Sequence, residues 1–205
     1  MSETIKAQRE QLAHVALGNK DILEGLIERM NSSSRRTRQN TASTLSFVAA
    51  AQPEAMLPYL DVVVDALERP EAQTRWESLD ILTALVPFDA DRCETALPGA
   101  EGALFDEDSG PLHLAAVRFL CRIGSTSQER SVKVWPLIDE AIQCYHGDLE
   151  FGDMLVAVTE YSQGKLSDSV KASLAQRMAF DASNSKGSLQ RRARQILENV
   201  GGAPA

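Results

Sequence analysis

Apolar positions recur along the chain at helical spacing, and the whole phrase returns every 37 to 38 residues. With Arg75 as an anchor, the equivalent positions are Arg38, His113, Phe151 and Leu189, at successive intervals of 37, 38, 38 and 38. Four residues past each anchor stand Ala42, Leu79, Val117, Leu155 and Ala193. Seven past stand Leu45, Leu82, Leu120, Val158 and Ile196. These positions share one helix face, so every repeat carries an apolar stripe it must bury. A unit of this length cannot bury such a stripe alone, which predicts a stacked array of helix pairs.

The pattern predicts an N-terminal helix over 3–17, stopped by Gly18-Asn19. Five pairs follow. Their first members, the A helices, span 20–30, 53–68, 89–105, 128–146 and 166–180. Their second members, the B helices, span 34–50, 73–86, 111–123, 150–162 and 186–199. Short junctions are what antiparallel helix hairpins require. Pro53 can open a helix, Asp89 or Asp91 can cap one, and Ser32-Ser33-Ser34 reads as a loop ending in an N-cap. A turn over 108–111 leads into the third B helix. Gly124 and Gly164 close B helices. Pro58, Pro98 and Pro136 recur in A helices, where a proline in the first turns loses little because those amides lack partners.

The stretch 57–86 resembles the HEAT and armadillo-like families: a Leu57-Pro58 helix, an acidic-proline turn at Glu68-Arg69-Pro70-Glu71, then an Arg75-led helix of small and apolar residues. The likeness runs, with decay, from about 20 to 200, and the anchor arginine gives way to His113, Phe151 and Leu189. The resemblance implies an all-α, right-handed α-α superhelix of about eleven helices. It implies A helices outside and B helices lining the inner, concave face. One repeat domain is expected over 1–200, with 201–205 a flexible C-terminal tail.

Composition narrows the setting. Apolar residues make up 43% and charged residues 24%, so disorder is not expected; aromatics at 5% suit closely packed helices. The net charge of −8 disfavours nucleic acid and anionic membrane as partners. No apolar run is long enough to span a bilayer, and the polar start of the chain lacks a signal-peptide core. Cys93, Cys121 and Cys144 show no CxxC spacing, which points to free thiols in a reducing cytoplasm. A monomer is expected.

No catalytic, cofactor or metal motif stands out. His14, His113 and His146 fall in different repeats, and His146 reads as complementing the last carbonyls of a helix. Charge divides unevenly between helix types. The A helices carry seven basic and fifteen acidic residues, the B helices ten basic and six acidic. A mildly basic inner face follows, with Arg38, Arg75, Trp76, Asp80, Arg118 and Arg122 as the partner-binding candidates. Arg and Trp are common binding hot spots. Trp135 reads as core, Tyr59 and Tyr145 as partly buried.

Trp76-Glu77-Ser78-Leu79-Asp80 also resembles the Trp-acidic-x-x-Asp segment of HEAT-like DNA alkylation-repair glycosylases. That resemblance implies an aromatic cleft for a cationic base at Trp76, a carboxylate at Asp80 facing an oxocarbenium sugar, and a phosphate contact at Arg118. Two features oppose it: Met154 stands where a second aromatic wall is needed, and the net charge opposes DNA. The favoured expectation is a non-enzymatic scaffold that binds a protein or acidic peptide, with a DNA-binding or glycosylase-related protein as the alternative.

Overall fold

The structure, a computed structural model, describes residues 2–106 and 109–201. The expected turn residue Asp108 and, apart from Gly201, the expected tail lie outside the described residues. These residues are helical throughout, with no strand, and they fall into two compact units, Met1–Ala103 and Leu104–Ala205.

In the first unit, α1 (Ser2–Leu17) packs on α2 (Lys20–Arg29) and α3 (Arg35–Ala51). The second A helix is broken into a 3-10 turn Pro53–Tyr59, α4 (Leu60–Asp65) and a 3-10 turn Ala66–Glu68; α5 (Ala72–Leu85) follows and packs on α3. The third A helix is α6 (Ala90–Cys93), a 3-10 turn Glu94–Ala96 and α7 (Leu97–Leu104). The second unit holds α8 (Gly110–Gly124), α9 (Gln128–Cys144), α10 (Phe151–Ser162), α11 (Asp168–Asn184) and α12 (Gly187–Asn199). There α10 packs between α8 and α12, and α9 packs on α11. Counting each broken A helix once, the described residues form eleven helices, at the places the repeat predicts.

Local chemistry sets the boundaries. Asn19 caps α2 by accepting from the amides of Asp21 and Ile22; Ser34, Asp89, Ser109, Ser127 and Ser167 cap α3, α6, α8, α9 and α11. Each supplies an oxygen to an amide that has no partner inside its helix. Pro58 lies within a 3-10 turn and Pro98 two residues after one, because a proline ring excludes the carbonyl four residues back and the chain tightens to three-residue bonds. Pro136 departs from its expected place in a first turn. It lies in the middle of an otherwise continuous α9, where the carbonyl that loses its partner belongs to Val132, on the exposed side.

The core is the repeat stripe. All five residues four past the anchor, and all five seven past, are at most 1% exposed. Burial of this stripe dominates the stability of such an array. Tyr59 and Tyr145 are half-buried as expected. Trp135 is also half-buried, not core, since its helix turns that face outward.

Close approaches at Gly124 and Gly164 need glycine. At Gly124 a Cβ would strike Val134 and lie 2.9 Å from the Tyr161 ring; at Gly164 it would lie 2.5 Å from Ser125. The turn after α9 uses Gly147 at φ +98°.

Candidate interaction grooves

The anchor position performs a repeated task. Arg38 is buried on α3. Its Nη1 donates to the carbonyls of Ser32 (2.6 Å) and Ser33 (3.1 Å), while Nε and Nη2 donate to both carboxylate oxygens of Glu71. In the second unit the buried His113 ring pairs with the Asp106 carbonyl and stacks on Tyr145, with centroids 4.5 Å apart. Phe151 packs against His146 at 4.8 Å. In all three repeats the anchor holds the turn that precedes its own helix, by charge, by imidazole or by ring contact. The drift from Arg to His to Phe therefore changes the chemistry and keeps the job.

This placement sorts the candidate residues. Arg38 is committed inward to the fold and presents no guanidinium to a partner. Arg75, Trp76 and Asp80 are half-buried on α5, and the Arg75 Nε is buried without a hydrogen bond. Arg118 and Arg122 are exposed on α8, in the other unit. Met154 is buried in α10, among apolar side chains such as Val117 and Ile142. His146 does not cap α9, which ends at Cys144; its Nε2 lies 3.2 Å from the buried Asp181 carboxylate, which also accepts from Ser185 at 2.8 Å.

Each unit has an open groove between successive B helices. In the first, of about 500 Å³, Ile5, Lys6 and Arg9 of α1, Ser43 and Phe47 of α3, and Gln73 and Glu77 of α5 line the walls. Its polar groups are largely engaged. Arg9 donates to Asn40 (2.6 Å) and Ser43 (3.2 Å), and Glu77 accepts from Ser43 and from Ser46 (2.6 Å). In the second, of about 330 Å³, Val156, Thr159 and Glu160 of α10 face Arg191, Arg192 and Gln195 of α12.

The two grooves occupy the same register. Ser43 and Phe47 lie five and nine past Arg38, as Val156 and Glu160 lie five and nine past Phe151. Glu77 lies two past Arg75, as Arg191 lies two past Leu189. By that register Arg118 and Arg122, five and nine past His113, line the step between α8 and α10, with Asp153 two past Phe151. Their chemistry differs. Among the described residues no hydrogen bond or ion pair engages the side chains of Arg118, Arg122, Arg191 or Arg192, so these four guanidinium groups remain available, whereas Arg177 of the same unit is paired with Asp139. Sequence reasoning missed Val156, Arg191 and Arg192, although carrying the register one step further would have found them.

Among the described residues no group of His, Cys, Asp and Glu could hold a metal ion, and no helix is long and apolar enough to cross a membrane. Cys93, Cys121 and Cys144 form no disulfide; Cys93 and Cys121 are buried, and Cys144 is exposed.

No protein-family profile and no curated protein sequence matches the chain. Solved structures do. A designed armadillo repeat protein in complex with the peptide (KR)4 superposes with a TM-score of 0.77 at 15% identity, covering 95% of this chain and 91% of that one. An engineered protein from a structural genomics consortium gives 0.71 at 16% identity over 98% and 93%. Computationally designed armadillo repeat proteins for modular peptide recognition give 0.70 at 14% over 97% and 94%. At such identities the likeness shows fold alone: the chain has the armadillo/HEAT-like helical-repeat fold, an all-α solenoid of stacked helix pairs.

Proposed function

We propose that this protein is a non-enzymatic scaffold whose B helices bind an acidic peptide segment of a partner protein. The carrying observation is that Arg118 and Arg122 on α8 and Arg191 and Arg192 on α12 are engaged by no carboxylate among the described residues. A fold stabilised by its apolar stripe gains little from these side chains, and guanidinium groups whose donors are not taken up by the fold suit bidentate recognition of carboxylates. Two of the similar designed structures are peptide-recognition proteins, one of them in complex with a basic peptide. The sign is reversed here because the exposed cations of the second unit outnumber the exposed anions on the same helices.

Within this reading Arg118 and Arg122 lead, and Arg75, Trp76 and Asp80 are the contribution of α5. Arg38 acts through the fold. The repeats over 1–200 work as one monomeric domain, and three cysteines without a disulfide suit a reducing cytoplasm.

Fluorescence anisotropy with a labelled twelve-residue polyglutamate and a matched polylysine tests the proposal. The expected result is preferential, salt-sensitive binding of polyglutamate by the full chain. Equal binding of both peptides, or preference for polylysine, overturns it.

A further inference from the structure

The second unit does not present one continuous positive track. Arg118 and Arg122 stand on α8, and Arg191 and Arg192 on α12, with α10 packed between them. On α10 the groove residues are Val156, 39% exposed, the neutral Thr159 and the acidic Glu160. Two cationic rows therefore flank a strip that is apolar and weakly anionic.

We propose that this surface reads a split acidic motif: two acidic clusters, one for each arginine pair, separated by a short spacer with an apolar residue that seats on Val156. This rests on the acidic-peptide reading above and sharpens it. Packed helices lie about 8–10 Å apart, so two steps from α8 to α12 span roughly 16–20 Å. An extended peptide crossing the helices advances about 3.3 Å per residue, which places the cluster centres about five to six residues apart. An acidic residue in the middle of the motif would face Glu160 and be repelled. An apolar residue there would cover exposed Val156.

The same arrangement disfavours nucleic acid. A phosphate backbone carries charge at every step and needs unbroken neutralisation along its path. Here Asp153 and Glu160 interrupt the path between the two arginine rows.

The test uses the full chain and three labelled probes in anisotropy titrations. The split peptide is Glu-Glu-Ser-Leu-Ser-Glu-Glu. The contiguous peptide, Glu-Glu-Glu-Glu-Ser-Leu-Ser, has the same composition. The third probe is a twenty-nucleotide single-stranded DNA. The split peptide is expected to bind about tenfold tighter than the contiguous one, because only it pairs with both arginine rows. R118E/R122E and R191E/R192E should each remove most of that advantage, as should V156D. R191Q/R192Q should give an intermediate loss, and circular dichroism of every variant should match the parent.

Equal affinity for the two peptides overturns the split motif and leaves the acidic-peptide reading standing. Binding of neither peptide overturns both. Tighter binding of the DNA than of either peptide overturns the choice of partner. A variant that loses its helical signal is replaced by its glutamine counterpart, whose unchanged preference for the split peptide would also sink the proposal.

Discussion

Arg38 and Glu71 form a buried ion pair that joins two successive repeats of the first unit, with side chains 10% and 3% exposed. Glu71 occupies the place that Ser34 and Ser109 occupy before α3 and α8, directly ahead of a B helix. It gives α5 no side-chain cap because its carboxylate is taken by Arg38. The guanidinium is also held by the Ser32 and Ser33 carbonyls, so its donors are matched on both sides. One pair thus fixes the turn before α3 and the turn before α5 at once.

Breaking this pair leaves a buried charge unmatched. Glu71→Gln is expected to cost about 3 kcal/mol, lowering Tm by roughly 10 °C. Replacing both residues with apolar ones of similar volume, R38M/E71L, should cost much less. Burial pushes the Glu71 carboxyl up, yet the Arg38 hydrogen bond and charge, with its own amide and Arg35, hold it below its ordinary 4.5. A carboxyl lowered by folding binds more protons when unfolded. Its contribution is therefore present above about pH 4.5 and lost as pH falls further. Denaturant midpoints between pH 6 and pH 3 should fall less steeply in E71Q than in the parent; parallel curves would contradict the assignment.

Two buried hydroxyls on α5 have no partner. Thr74 Oγ1 and Ser78 Oγ lie four apart on one face, fully enclosed and unbonded. An unsatisfied buried hydroxyl costs about 1–3 kcal/mol against a bonded one. Ser78→Ala removes the hydroxyl, leaves almost no void and favours helix, so it should raise stability by about 1 kcal/mol in chemical denaturation. A drop of similar size would mean the hydroxyl has a role in the fold that this packing does not show.

The repeat stripe was legible because it depends only on period. Ala42, Leu79, Val117, Leu155 and Ala193 are buried whatever the details of the turns. Side-chain destinations across repeats were not legible in the same way. Arg38 read as a surface cation because arginine usually is one, although Glu71, in a cap position normally held by serine, was the available signal for its partner. The breaks at Pro58 and Pro98 were signalled by the prolines themselves, but Pro136 shows that the same residue can sit inside an unbroken helix when the orphaned carbonyl faces outward. Val156, Arg191 and Arg192 became visible only once the stacking of α8, α10 and α12 showed which face of each helix remains open.

Glycines separate by what surrounds them. Gly124 is packed beneath Val134 and the Tyr161 ring, and a Cβ there must displace one of them. Gly124→Ala should destabilise by about 1–3 kcal/mol through overpacking. Gly25 on α2 has nothing within 4 Å of its would-be Cβ, so Gly25→Ala should stabilise by roughly 0.5–1 kcal/mol through helix propensity alone. Thermal melts of the two variants should move in opposite directions.

Alkaline stability depends on groups that the core keeps protonated. Burial, and secondarily the charge of Glu160, pushes the Cys121 thiol above its ordinary 9.0; burial and then Cys121 push the Tyr161 phenol above its ordinary 10.0. The folded chain keeps these protons while the unfolded chain releases them. Their contribution is therefore whole below about pH 9 and declines as pH rises beyond it. Cys121→Ala should flatten the loss of stability between pH 9 and 11, and Tyr161→Phe should flatten it from about pH 10, at the cost of the hydrogen bond to the Ser131 carbonyl. Cys144 is the exposed thiol of the three, so a disulfide reagent at pH 8 should modify it quickly and leave Cys93 and Cys121 untouched until denaturant is added. Rapid native labelling of C144S would show that the core around Cys121 opens far more readily than its packing against α10 allows.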